Sequence, residues 1–164
     1  MDQASLLLKK QLKELSKNPV EGFSAGLQHP ENLLVWSTVI MGPPGTAYEG
    51  GYFRATLTFP SSYPQAPPTL RFTSKMWHPN VGPDGTVCIS ILHAPGEDQY
   101  GYERPEERWL PVHTVESILL SVISMLASPN AESAANVEAA REYRDDPESF
   151  KRKVLKCVRQ SQEE

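Results

Sequence analysis

The sequence has little cysteine, no long apolar run and no surplus of positive charge. Its two thiols, Cys88 and Cys157, form no CxxC or Cys/His ligand pattern. That argues against a disulfide framework and a zinc site, and favours a reducing compartment such as the cytoplasm. Near the N-terminus the only apolar run is Leu6-Leu7-Leu8, which Lys9-Lys10 interrupts. It is too short for a signal peptide or a membrane span, so no direct membrane insertion is expected. With 16 Lys+Arg against 20 Asp+Glu, the formal net charge is −4. Phosphate backbones demand clustered cations, so no nucleic-acid partner is expected.

Proline, by contrast, is plentiful: 15 in 164 residues, concentrated from Pro43 to Pro111. The length suits one domain over residues 1–164, large enough to bury a core without staples. From Ser5 to Ser16, Leu8, Leu12 and Leu15 fall on one face of an amphipathic helix. Lys9, Lys10 and Lys13 lie opposite, either as a solvated face or as a docking surface. Residues from Gly22 to Arg71 read as a run of strands, clearest at Leu33–Met41 and Tyr52–Phe59, with a last short one at Thr69–Phe72. The short connections imply an antiparallel meander. Tyr63-Pro64-Gln65-Ala66-Pro67-Pro68 has three prolines and reads as a rigid surface loop.

Residues from about 94 to 108 are rich in Gly, Pro and acids, including Glu97 and Asp98, and have no periodicity. A loop that long inside a compact domain is usually functional. Val115–Leu126 then reads as a helix with Val115, Ile118, Leu119, Val122, Ile123 and Leu126 facing a core. Its far arc holds Ser117, Ser121 and Ser124 beside Leu120, either ordinary surface or a landing place for another protein. Two more helices are expected over Ser133–Arg144 and Pro147–Gln160, with Cys157 as a packed core thiol on the second. The fold class is α+β: an N-terminal helix, a four-stranded antiparallel meander sheet, a central helix and two C-terminal helices.

Chemistry concentrates in Trp77–His93. Cys88 follows the turn Pro83-Asp84-Gly85 and sits eight residues after Asn80. A thiol that carries an acyl group and an amide that hydrogen-bonds an oxyanion are the parts of an acyl-transfer site. Asn80 equally fits a role limited to tying turns together through side-chain to backbone bonds.

The whole chain resembles the ubiquitin-conjugating enzymes. His78-Pro79-Asn80 is similar to the family's His-Pro-Asn motif, and Cys88 stands where its thioester cysteine stands. Gly42-Pro43, Phe59-Pro60, Tyr63-Pro64, Pro67-Pro68, Trp109 and Pro129-Asn130 follow in the family's order. The acidic insertion after Cys-Ile-Ser-Ile-Leu-His resembles the branch that holds the degradation enzymes of the endoplasmic reticulum membrane and their plant and animal relatives. The resemblance implies that Cys88 accepts ubiquitin from the ubiquitin-activating enzyme and passes it to a lysine of a protein substrate or of ubiquitin, building degradation-directed chains. A ubiquitin ligase, of RING type, would guide the transfer.

No bound cofactor or metal is implied, since ATP is used upstream by the activating enzyme. Asn80 would stabilise the oxyanion or brace its loop, and His78 would hold the motif's turn. The ligase would touch Lys9, Lys13, Gln65, Ala66, Leu110, Pro111 and Val112. Lys9, Lys10 and Lys13 would also meet the activating enzyme, and donor ubiquitin would fold onto Leu120 and Ser124. Partners would recruit the protein to the endoplasmic reticulum membrane or the nucleus.

Several positions depart from the pattern. Ser90 and Ser133 stand where many members carry acids, so the acidic loop is expected to supply a substitute through His93, Glu97 and Asp98. Gly82 replaces a tyrosine common in relatives, which is expected to loosen its turn, and Leu110 replaces a Ser or Thr. A catalytically silent ubiquitin binder, a carrier of another modifier and a cysteine protease are the other readings. Cys88 and Asn80 both being present opposes the first, and the acidic insertion opposes the second. No ordered Cys/His/Asn set supports the third.

Overall fold

The computed structural model describes residues 2–94 and 108–164. Helix α1 (Gln3–Lys17) starts where the Asp2 carboxylate accepts the Ser5 N–H at 2.8 Å, and ends at Asn18, one residue before Pro19. It is longer at both ends than the leucine spacing predicts, because the cap and not the apolar pattern sets its start. Leu8 is buried, and Leu12 and Leu15 lean on the same core. Lys9, Lys10 and Lys13 are exposed.

Four strands follow as an antiparallel meander: β1 (Phe23–Leu27), β2 (Val35–Met41), β3 (Tyr52–Thr58) and β4 (Thr69–Phe72), in the order β1-β2-β3-β4. Trp36 pairs with Leu57, Leu57 with Leu70, and Ile40 with Phe53, so one face is apolar but for Thr38. Period-two alternation buries Trp36, Thr38 and Ile40 on β2, and Phe53, Ala55 and Leu57 on β3. Thr38 stays on that face because its hydroxyl donates to the Ala55 carbonyl at 2.9 Å. Strand β2 begins two residues later than expected. Leu33 and Leu34 are held in a turn, where the Leu34 N–H donates to Asn32 and the Trp36 indole donates to the Leu33 carbonyl.

Beyond a single 3-10 turn at Ser90–Leu92, helix α2 (Val115–Ala127) lays Val115, Ile118, Leu119, Val122 and Leu126 into the sheet's core. Its capping box joins Thr114 and Ser117. Ser117 and Ser121 are therefore not open surface. Both are half-buried, and each hydroxyl donates to a carbonyl of the preceding turn. Only Leu120 and Ser124 of that arc are exposed.

Helix α3 is Val137–Asp145, not a helix from Ser133. The backbone of the intervening segment is engaged elsewhere, and Asn136 caps the helix through the Ala139 N–H. Helix α4 (Pro147–Glu163) starts with proline in its first turn, as expected, and buries Cys157.

Candidate active site

The site is built on a buried shelf. His78, Pro79 and Asn80 are all buried, with His78 fully enclosed. The His78 Nδ1 accepts the Asn80 N–H at 2.9 Å, which leaves Nε2 to donate to the Met125 carbonyl at 2.8 Å. Those two bonds require the neutral ring, and burial drives its pKa down to about 4 despite the Met125 carbonyl. The imidazole thus ties the turn to the end of α2 and holds no proton to lend. Above it, the Tyr48 hydroxyl donates to the Trp77 carbonyl, and the Tyr48 and His78 rings pack 5.8 Å apart.

Asn80 spends its whole amide on one loop. Its Nδ2 donates to the carbonyls of Asn130 (2.9 Å) and Ser133 (3.0 Å), and its Oδ1 accepts the Asn130 N–H at 2.8 Å. The Pro79 carbonyl accepts the N–H groups of Ala135 and Asn136 as well. Residues 130–136 are thereby drawn onto the shelf, which is why they do not join α3. Ser133 takes part through its main chain alone in these bonds.

Cys88 lies at the shelf's edge. Its N–H donates to the Asn80 carbonyl at 2.9 Å, and the neighbouring Val87 N–H donates to Leu70 of β4 at 2.9 Å. Val87 is buried while Thr86 and Cys88 on either side are half-exposed, as alternation in an extended segment demands. Burial pushes the thiol pKa up, and the charge of Asp84 pushes it the same way. No base activates Cys88 in the free protein among the groups that shift it. Ser90 is half-buried in the 3-10 turn.

The turn before Cys88 is not loose, despite Gly82. The Gly82 N–H donates to Thr86, and the Gly85 N–H donates back to Gly82, each at 2.9 Å. Gly85 has φ +92°, and a Cβ there would fall 2.1 Å from the Phe72 carbonyl. Only glycine lets this turn dock on β4. An open groove of about 460 Å³ runs between the turn and the chain Arg71–Met76, and Cys88 is not in its lining. The thiol is half-exposed and lies outside that groove.

After the 3-10 turn the His93 carbonyl accepts the Trp109 N–H at 3.0 Å, so the two ends of the acidic insertion are brought together. Glu97 and Asp98 lie outside the described residues. The Trp109 indole donates to the Pro64 carbonyl at 2.8 Å. Tyr63, joined to Pro64 by a cis peptide, donates its hydroxyl to the His113 carbonyl and accepts Gln11 of α1. Gln11 also accepts the Val115 N–H. These bonds bring α1, the Gln65-Ala66 loop and the Leu110-Pro111-Val112 loop to one end of the molecule. Gln65, Leu110, Pro111 and Val112 are exposed there, Val112 by 77%, and Ala66 is half-buried.

Three site-building residues escape a sequence reading. Tyr48 and Gln11 carry no motif and act over long sequence separations. Glu142 is 3% exposed, accepts the Trp77 indole N–H at 2.9 Å and pairs with Lys153, whose ammonium covers the Trp77 ring. An acid three residues after Ala139, on the buried arc of its helix, was the available signal. Among the described residues, no group of three or more His, Cys, Asp or Glu is placed to hold a metal, and no helix is long and apolar enough to cross a membrane.

The family model described as "Ubiquitin-conjugating enzyme" matches residues 7–158. The chain is 66% identical over 161 residues to ubiquitin-conjugating enzyme E2 7 of Arabidopsis thaliana, covering 98% of this chain and 97% of that protein. It is 55% identical over 149 residues to ubiquitin-conjugating enzyme E2 G2 of Homo sapiens, covering 91% and 90%. Its fold is similar to the structure of human ubiquitin-conjugating enzyme E2 G1, with a TM-score of 0.69 at 59% identity, covering 77% of this chain and 97% of that one.

Proposed function

The chain belongs to the ubiquitin-conjugating enzyme family, in its acidic-loop branch, and on that premise we propose that Cys88 is the residue that carries ubiquitin. The Cys88 thiolate attacks the thioester carbonyl of ubiquitin on the activating enzyme, and the activating enzyme's cysteine leaves as thiolate. A lysine amine then attacks the new thioester; a C–N bond forms, the C–S bond breaks, and Cys88 departs as thiolate while the amine proton passes to solvent. One observation supports this assignment above others: Cys88, whose thiol is half-exposed, is tied by its main-chain N–H to the carbonyl of buried Asn80. Because burial and Asp84 hold the thiol pKa up, ionisation falls to the complex with the activating enzyme.

Asn80 braces residues 130–133 in the resting state. It donates to the tetrahedral oxyanion only by exchanging the Asn130 or Ser133 carbonyl for it. His78 holds the motif's turn. The acidic loop supplies a substitute for acids at Ser90 and Ser133, with His93, Glu97 and Asp98 as its candidate groups. Lys9, Lys10 and Lys13 meet the activating enzyme. A RING-type ligase touches Lys9, Lys13, Gln65, Ala66, Leu110, Pro111 and Val112. Donor ubiquitin folds onto Leu120 and Ser124, an exposed pair on α2.

ATP is consumed upstream, by the activating enzyme. The products are degradation-directed chains, and partners recruit the protein to the endoplasmic reticulum membrane or the nucleus. The test is a non-reducing gel after incubation with activating enzyme, ATP and ubiquitin. A thiol-sensitive adduct is expected, and none with Cys88→Ala; a reducible adduct surviving that substitution would remove Cys88 from the role.

A further inference from the structure

Ser90 and Ser133 are uncharged, whereas Asp84, four residues before Cys88, carries a carboxylate whose charge acts on its thiol. Asp84 is fully exposed, at the tip of the turn closed by Gly82 and Gly85. Its Oδ1 accepts the Thr86 N–H and its Oδ2 accepts the Thr86 hydroxyl, both at 3.0 Å. Its carbonyl accepts the Arg71 guanidinium at 2.7 Å. Each carboxylate oxygen therefore keeps a free lone pair, while the group as a whole cannot swing away. The Thr86 bonds also hold the carboxyl below its ordinary pKa, so it is charged at neutral pH.

Two further observations turn this fixed charge toward the reacting centre. Thr86 and Cys88 lie two residues apart in an extended segment, with buried Val87 between them, so they share a face. The Asp84 charge also acts on the Cys88 thiol. Glycine at residue 82 places no side chain over the carboxylate from the other side of the turn. A Cβ there would already lie 3.2 Å from Asp84 Oδ1, and a larger side chain would lie over it.

We propose that Asp84 is a positioning residue for the acceptor, its carboxylate capturing the lysine ammonium and holding it beside the Cys88 thioester. This rests on the transferase reading above. Asp84 is the counter-charge and not the base. The captured ammonium loses one proton to solvent, the free amine attacks the thioester carbonyl, the C–N bond forms as the C–S bond breaks, Cys88 leaves as thiolate, and the second amine proton passes to solvent. The same charge opposes a bare thiolate at Cys88. Removing it therefore has opposite signs on the two half-reactions: loading is unhindered or faster, and discharge to lysine is slower.

The experiment compares wild type, Asp84→Asn and Asp84→Glu as purified ubiquitin thioesters. Each is discharged in single turnover to free lysine, a cation, and to hydroxylamine, which is neutral near neutral pH. Asp84→Asn is expected to slow discharge to lysine by about fivefold, the scale of one solvent-screened charge pair. Hydroxylamine discharge and loading should not slow, and Asp84→Glu should recover most of the lysine rate. Equal slowing with both nucleophiles would make Asp84 a merely structural part of the turn, and unchanged lysine discharge would also overturn the proposal. Failure of the wild type to form any thioester would instead remove the transferase reading beneath it.

Discussion

The two turns that precede Cys88 are built in opposite ways. His78-Pro79-Asn80 is buried, and every polar group of its two polar side chains has a protein partner. Gly82–Gly85 presents its one charged side chain to solvent, fixed only by Thr86. The first turn supplies rigidity, because a buried amide or imidazole left unpaired would be costly. The second supplies charge where an incoming chain can reach it. A transfer site needs both, since the acyl group must be held still while its nucleophile arrives from outside.

The comparison breaks most readily at Asn80. Asn80→Ala removes three hydrogen bonds that span two loops, and a loss of about 2–3 kcal/mol in denaturant-measured stability is expected, near 1 kcal/mol for each. Thioester formation should be nearly normal while discharge to lysine slows. Equal impairment of both steps would confine Asn80 to bracing.

His78 gives a comparable effect through pH. Its folded value of about 4 lies below the ordinary 6.5. As pH falls through that window, the unfolded chain binds a proton that the native ring refuses, so stability present above pH 6.5 is lost toward pH 4, by about 3 kcal/mol. Below that window its contribution is flat. An NMR titration of the His78 ring in the native protein that showed a midpoint near 6.5 would refute the neutral shelf.

The smallest effect is expected on the exposed turn. Thr86→Val deletes one solvent-exposed bond to Asp84 and should cost under about 1 kcal/mol of stability. Lysine discharge should fall by less than it does in Asp84→Asn. A stability loss as large as that of Asn80→Ala would erase the distinction between the two turns.

Much of this was legible along the chain because its causes are local. Alternation marked β3, the Pro83-Asp84-Gly85 turn announced itself, and Asp146-Pro147 marked the start of α4. The misreadings share one physical origin. Residues 133–136 look helical, yet the Pro79 carbonyl takes the N–H groups of Ala135 and Asn136. Ser117 and Ser121 look like a polar face, yet their hydroxyls donate to carbonyls of the preceding turn. Gly82 looks like a loosened turn, although its backbone is bonded at both ends. Hydrogen-bond competition between distant or neighbouring backbone groups leaves no periodic trace in sequence.

By itself, then, the sequence determined which elements form, their order and which thiol stands after a paired set of turns, because propensity, turn chemistry and motif spacing are short-range properties. Only the tertiary structure decided that Asn80 spends its amide on Asn130 and Ser133, that His78 is held neutral, and that burial and the Asp84 charge raise the pKa of the Cys88 thiol. Those outcomes depend on burial and on partners up to about fifty residues away. Desolvation and charge act through space, and no pattern along the chain encodes them singly.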